Sequence, residues 1–520
     1  MIEATDFPHT VAFMDFGTNS VRLLIVRVEP NHSLTVLQKL KETVRLGEGE
    51  FLDGSLQPQA IDRATDVAIR FAKTARSAGA DEMFAVGTAA AREAENAEVL
   101  LHRLKEEAGI DLRVVSGQEE ARLIYLGVAS GMEIGDHMTF FIDIGGGSTE
   151  TIVGNQNEHF YLHSHKLGAI RLSNLFLSDS DGPVSSQDYE ALRAYIRRSA
   201  ASTLRELSEF PIELAVGSSG TIESLAEVAS RMKDSTSEPG RLTYGDLQAG
   251  IRMLCSLPLE VRRQVPGLTP TRADIIIGGA AILDVFMEEL GLPELRVSDR
   301  GLRDGLLVDY LQRHRQTDLF SELAPRERSV LQLGRTCRFN EAHARTTAEL
   351  ALSLFDSAKQ CGLHQMGPWE REMLEYAALL HHIGSFLTYS GYQKHSHYLV
   401  SNADLLGFDQ LEITMMALAV LHHRGSVPRK GAPELSALEN GDQDTLRYLT
   451  TLIRIAENLD RSQARNVISA RLVPAGAGHV ALEVDAAHDP QVELSGVENQ
   501  RDTFEKVFGV SLDINVLAKS

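Results

Sequence analysis

Residues Phe140 to Val153, reading Phe-Phe-Ile-Asp-Ile-Gly-Gly-Gly-Ser-Thr-Glu-Thr-Ile-Val, bring together the groups that handle a phosphate. Gly145, Gly146 and Gly147 lack Cβ atoms, so their backbone N–H groups can crowd around one anion. Ser148 and Thr149 add hydroxyls. Asp143 ends an apolar run, where its carboxylate can hold a divalent cation or order a water, and Glu150 leaves the turn within reach of the same place. The spacing predicts a strand, a glycine turn and a second strand. A tight hairpin that binds nothing selects the same Gly, Ser and Thr residues, so this stretch alone does not decide.

Val11 to Val26 repeats the pattern. Asp15 matches Asp143, Gly17 matches Gly145 and Ser20 matches Ser148, at an offset of 128 residues. A displacement of domain size points to an internal duplication. The copies differ where charge matters, because Arg22 falls on the position of Glu150 and Thr18-Asn19 on Gly146-Gly147. One hairpin offers a cation and the other a carboxylate.

Further chemistry lies around these two. Arg92 follows the strand-like Met83 to Val86 and the loop Gly87-Thr-Ala-Ala-Ala. The C-terminal edge of a strand is where open α/β sheets bind ligands, and a guanidinium there can grip a phosphate through two hydrogen bonds. The alternative is a solvated arginine at a helix start, next to the positive end of the dipole. Ser116 and Glu119 have capping-box spacing. That gives Glu119 a local role and leaves Glu120, about 100° further round the helix, as the candidate general base. Lys166 and Arg171 supply cations after the second hairpin. Leu214 to Thr221 is a third strand-to-glycine turn, whose Gly217, Ser219, Gly220 and Thr221 lead into a helix with N–H groups suited to an anion. Arg272, Arg300 and Arg303 are further candidate phosphate ligands.

Positioning these groups requires strands and helices in alternation, a pattern that runs to about residue 312 and then gives way to long helical periodicities. The expected class is α/β, with modules at 1–134 and 135–316, a helical domain at 317–466 and a small α/β appendage at 467–520. A formal charge of −21 argues against nucleic acid or an anionic membrane as a partner. An anionic substrate must then be caught by local cations. Cys255, Cys337 and Cys361 form no CxxC pair and no disulfide framework, as suits a reducing cytoplasm. Met1 to Phe7 lack the basic and apolar regions of a signal peptide, and no uncharged run approaches membrane-spanning length, so a soluble cytoplasmic protein is expected.

In the helical part histidines recur, in Glu341-Ala-His343, Leu379-Leu-His-His-Ile-Gly384, His395-Ser-His397, Leu421-His-His-Arg424 and Ala456-Glu-Asn-Leu-Asp460. These resemble the helical HD superfamily of metal-dependent phosphohydrolases, except that His381-His382 stands where that motif needs His-Asp. Without the carboxylate that bridges a metal pair, a degenerate scaffold is expected here rather than a second active centre, and whether the histidines hold a metal stays open.

Taken in order, Asp15 to Ser20, Gly87-Thr88 with Arg92, Gly117 to Leu123, Asp143 to Glu150, Gly217 to Thr221 and Gly301 to Gly305 resemble the exopolyphosphatase and guanosine pentaphosphate phosphohydrolase family, from residue 11 to about 312. The resemblance implies two duplicated actin-like (ribonuclease H-like) domains, an HD-like helical domain of the kind found in long members, and a homodimer. It implies that Glu120 activates water, that Asp143 and Glu150 position Mg²⁺ and the terminal phosphate, and that the glycine loops, Asn19, Ser148 and Arg22 hold phosphoryl oxygens. Asp15, Thr18, Ser20, Arg92 and Arg272 join them as phosphate-site candidates. Phosphoryl transfer needs an oriented nucleophile and neutralised charge, which these groups supply. The implied substrate is inorganic polyphosphate, with guanosine pentaphosphate, converted to the tetraphosphate, as the alternative. A polyphosphate chain would also give Lys394, Arg424, Arg429 and Lys430 a use, as the lining of a basic channel between the helical and α/β parts. A sensor that binds without turnover, or a sugar kinase or ATP-driven chaperone of the same fold, remains open at this point.

Overall fold

The computed structural model describes residues 9–29, 33–177, 181–232, 240–313, 325–403, 405–436 and 438–517. The chain divides into two compact units, residues up to 322 and residues from 323. Met1 to Phe7 and the expected boundary at residue 316 lie outside the described residues.

The first unit holds two sheets. Strands β1 (His9–Phe16), β2 (Ser20–Val28), β3 (Leu34–Thr43), β4 (Glu82–Gly87) and β5 (Leu112–Val114) lie in the order β3-β2-β1-β4-β5. Strands β6 (Thr139–Ile144), β7 (Thr149–Gly154), β8 (His159–His165), β9 (Leu214–Ser218), β10 (Arg241–Thr243) and β11 (Glu294–Val297) lie in the order β8-β7-β6-β9-β11-β10. Both sheets therefore use one plan: an antiparallel three-stranded meander whose first strand pairs in parallel, on its other side, with a later one. The apolar runs of β1 and β6 are buried on both faces, as strands covered by helices on either side must be.

Two helices, Gly117–Ala129 and Leu302–Arg313, join the sheets. Phe13 of β1, Phe141 of β6, Tyr125 and Leu311 share one apolar cluster with them. Each aromatic buried this way contributes about 1.5–3 kcal/mol. The helices cross in backbone contact, since a Cβ at Gly127 would overlap the Gly301 carbonyl and one at Gly305 the Leu123 carbonyl. Glycine is required at both positions.

The second unit is a helical core formed by Pro325–Thr336, Glu341–Gln360, Pro368–Leu380, Tyr392–Asn402, Gln410–His422 and Asn440–Leu459. Asn340 caps the second of these by accepting from the His343 N–H at 3.2 Å. Strands β12 (Val467–Gly476), β13 (His479–Ala486) and β14 (Ser511–Val516) form a sheet in that order. Leu482, Phe504 and Leu512 belong to the same buried cluster as Leu354, Leu374 and Leu452, so the C-terminal strands share their core with the helices.

Candidate functional site

The site is built where β1 and β6 end. In the first hairpin the Gly17 N–H donates to Ser20 O at 3.1 Å, and in the second the Gly145 N–H donates to Ser148 O at 2.9 Å. The next carbonyls are tied down from behind. Thr18 O and Asn19 O accept from Gly47, Val44 and Arg45, while Gly145 O and Gly146 O accept from Ala169, Ile170 and Arg171. With the carbonyls held away, the N–H edges of the two loops are left for a ligand. Gly146 needs its hydrogen, because a Cβ there would press on Thr18 of the facing loop at 3.1 Å.

A polar cavity of about 90 Å³ lies between the loops. It is lined by Asp15, Thr18, Asn19, Ser20, Arg22, Glu120, Asp143, Gly145, Gly146, Ser148, Ser219, Gly220, Thr221 and Arg272, all of which the sequence marks as candidates. Arg300 also reaches it and donates to Ser130 Oγ at 3.0 Å. Cross-strand register sets the polar groups. Asp15 is opposite Arg22, Asp143 is opposite Glu150, and on its parallel side Asp143 lies beside Ser218, whose Oγ donates to Asp143 Oδ2 at 2.5 Å.

The third turn carries strain. Ser219 adopts φ 83°, a left-handed conformation that costs a non-glycine residue about 1 kcal/mol or more. Its Oγ donates to Ile144 O at 2.8 Å, which binds the turn to the end of β6. At Gly220 a Cβ would overlap the Arg272 guanidinium, so glycine is what lets that arginine lie along the cavity wall.

Burial dominates the titration of the carboxylates. It raises Glu120 to about 7, against the pull of Arg92, with Asp15 and Asp143 adding to the rise. It raises Asp143 to about 6, opposed by the Ser218 hydrogen bond and Arg22. Asp15 is also raised by burial, with Arg22, Arg303 and Lys41 opposing. Glu150 is pushed well above its ordinary value, by burial first and then by Glu120 and Asp143. Asp15 Oδ1 and Asn19 Oδ1 are buried without a hydrogen-bond partner.

Several candidates fall outside the cavity wall, among them Arg303, Lys166 and Arg171. Arg92 donates to Glu120 Oε2 at 2.8 Å and to Val115 O at 3.0 Å, so it holds the glutamate rather than presenting a free fork to the cavity. Glu150 is 1% exposed and lies beside Asp143 on the neighbouring strand, accepting from Ser164 Oγ at 2.7 Å. Gly147 packs on Phe51 and Ala89, and its carbonyl accepts from Arg171 Nε at 2.8 Å. Gly217 turns its Cα toward Ile222 and Leu295 in the core. As expected, Ser116 Oγ accepts from the Glu119 N–H, at 3.1 Å, but the Glu119 carboxylate turns to Arg122 instead of closing a capping box.

Sequence reading missed Ser218, Lys41, Glu223 and Asp299, and named Thr88 only within its motif, without a role. Thr88, Glu223 and Asp299 line the cavity. Glu223 lies one helical turn after Ser219, a spacing that would have found it. Lys41 pairs with Arg22 across β2 and β3. Burial, Arg22 and Arg272 lower it to about 8. No motif marks it, because β3 carries polar residues along its length.

Two glycine loops, three arginines and buried carboxylates surround one polar cavity on an α/β scaffold. The crystal structure of an exopolyphosphatase from Cytophaga hutchinsonii superimposes with a TM-score of 0.54 at 28% identity, over 58% of this chain and 98% of that one. This is the actin-like α/β fold. A profile of the Ppx/GppA phosphatase family matches residues 24–314, and one of domain III of that family matches residues 326–495. The chain belongs to the Ppx/GppA phosphatase family and is a hydrolase. A guanosine-5'-triphosphate,3'-diphosphate pyrophosphatase of Photobacterium profundum is 27% identical over 495 residues, covering 94% of this chain and 95% of its own length. One of Aeromonas hydrophila subsp. hydrophila is 28% identical over 445 residues, covering 85% of each. Among the described residues, no helix is long and apolar enough to cross a membrane.

Proposed function

We propose that the chain is an exopolyphosphatase that removes terminal phosphate from inorganic polyphosphate, with Glu120 as general base. The observation that carries this reading is the setting of Glu120, buried on the cavity wall between the two glycine loops and raised to about 7. A base with that affinity takes a proton at neutral pH and can give it up again. Arg92 fixes Oε2, which leaves Oε1 to accept the proton of a water. The water oxygen bonds to the terminal phosphorus, the bridging P–O bond breaks, and the shortened chain departs as an anion with inorganic phosphate as the second product. Loop N–H groups, Ser148, Asn19, Arg22 and Arg272 bind the phosphoryl oxygens, and the last two offset the charge that spreads over them.

Mg²⁺ fits this donor set. Asp15 Oδ1 is a buried oxygen with no partner, and Asp143 and Glu150 repel each other across one hairpin. Among the described residues no three His, Cys, Asp or Glu side chains converge on one point. Mg²⁺ needs fewer, since it keeps waters and takes substrate oxygens alongside one or two carboxylates. Asp143 and Asp15 would hold it, with Glu150 beside Asp143. When bound it neutralises charge on the phosphates.

A second reading, hydrolysis of guanosine pentaphosphate to the tetraphosphate, is favoured by the two relatives that match along most of the chain, whose names specify that substrate class. The finer architecture is part of the same proposal: modules at 1–134 and 135–316 arose by duplication, followed by an HD-like helical domain to 466 and the C-terminal strands and helices. Lys430, one of the cations the sequence offers to a polyphosphate chain, pairs with Asp444 at 2.7 Å.

Phosphate release should be measured with Mg²⁺ on long polyphosphate, guanosine pentaphosphate and ATP. Glu120→Gln is expected to lower kcat about 10²–10⁴-fold with KM little changed. Full activity in that variant sinks the assignment of the base, and the ratio of kcat/KM values ranks the substrates.

A further inference from the structure

The helical unit contains a second cavity, of about 380 Å³, to which the hydrolysis step proposed above assigns no residue. That volume is in the range of small-molecule sites. Its wall includes Arg424, Arg454 and Arg461 but one carboxylate, Glu457, which is already engaged by the Tyr392 hydroxyl at 3.0 Å. In a chain of formal charge −21 this is a local reversal of sign.

None of the three arginines makes an ion pair among the described residues. Arg454 donates from Nε to Gln500 Oε1 at 2.9 Å and from Nη1 to His422 O at 3.1 Å, neutral acceptors that orient the guanidinium without discharging it. Arg424 lies over the Tyr392 ring, 5.0 Å from its centroid. His382 adds no charge at neutral pH, since burial and the neighbouring His343 lower it to about 4. His343 Nδ1 is 2.7 Å from Asp460 Oδ2 and is held by that buried carboxylate. Among the described residues no three His, Cys, Asp or Glu side chains are placed to hold a metal ion. The charge selects an anion, and three guanidiniums suit phosphates better than a single carboxylate.

The edge of the cavity is aromatic. Tyr389 is 70% exposed, with its ring centroid 5.9 Å from Tyr392 and 6.3 Å from His382. A large aromatic left in water beside an arginine-lined cavity offers a stacking face for a planar base.

We infer that this cavity binds a nucleoside polyphosphate, with its phosphates on Arg424, Arg454 and Arg461 and its base on Tyr389. This site is independent of the cleft chemistry. The test is equilibrium binding of guanosine diphosphate and of tripolyphosphate to the full chain, by calorimetry, with Arg461→Ala and Tyr389→Ala as variants. Both positions are exposed, so melting curves should match the parent. Arg461→Ala is expected to weaken guanosine diphosphate at least 10-fold. Tyr389→Ala should weaken it about 5-fold or more and leave tripolyphosphate unchanged. Unchanged guanosine diphosphate affinity in both variants, or its absence in the parent, overturns the site. Loss in Arg461→Ala with no effect of Tyr389→Ala on the nucleotide overturns the nucleoside assignment.

Discussion

Asp15 faces Arg22 across the first hairpin and Asp143 faces Glu150 across the second, at the same register position of two turns with the same internal hydrogen bond. The backbone is repeated and the charge is not. With two carboxylate hairpins the cavity would repel a phosphate, and with two cationic ones it would hold its carboxylates ionised and bind an anion tightly. One of each gives the cavity the Arg22 cation from the first hairpin and the burial-raised Asp143 carboxyl from the second. Burial separates them further, since Arg22 lines the cavity whereas Glu150 is buried off its wall.

The most severe way to break this division is to make the first hairpin like the second. Arg22→Glu should reduce kcat/KM about 10³-fold, as loss of a charge-stabilising donor in a dry site does. Glu150→Gln should cost only about 10-fold, because that carboxylate acts through Asp143. Equal losses would mean that the hairpins do not divide the work.

The second prediction concerns pH. Asp143 and Glu120 titrate near 6 and 7 in the folded chain, above 3.8 and 4.5, so the fold favours their neutral forms. The stability they contribute is present below about pH 4 and is lost as pH rises through 6 to 7, each tenfold difference in proton affinity between the folded and unfolded chain being worth roughly 1.4 kcal/mol. The metal-free melting temperature should fall on this account by a few degrees between about pH 5 and about pH 8. Added Mg²⁺ should raise it more at the higher pH. An equal rise at both would detach metal binding from the carboxylate cluster.

Smallest is the effect of single methyl groups. In Gly147→Ala the Cβ would meet Phe51, Ala89 and Thr18 at 2.8–2.9 Å, a contact that prises the second loop away from its neighbours. A loss of about 1–3 kcal/mol in stability is expected. Gly17→Ala, whose Cβ meets Ser20 O at 3.2 Å and Asp15 Oδ1 at 3.8 Å, should cost less than Gly147→Ala in the same denaturation experiment.

The amino-acid sequence by itself determined the parts that local conformation governs. The strand runs into Asp15 and Asp143, their glycine turns, the Ser116 cap and the helix behind Arg92 are each set by residues within four or five positions, and the 128-residue repeat made them recognisable as a pair. The tertiary structure decided which charges meet. Arg92 pairs with Glu120 from 28 residues away, Ser218 reaches Asp143 from 75, and Lys41 finds Arg22 only through the register of β2 and β3. Tyr389, Arg424 and Arg461 come from separate segments to one cavity. Charge and hydroxyl contacts of this kind depend on sheet order and helix packing, which a linear pattern does not encode at the positions concerned. The withdrawal of Glu150 has the same origin, because a residue's distance from water depends on everything packed around it.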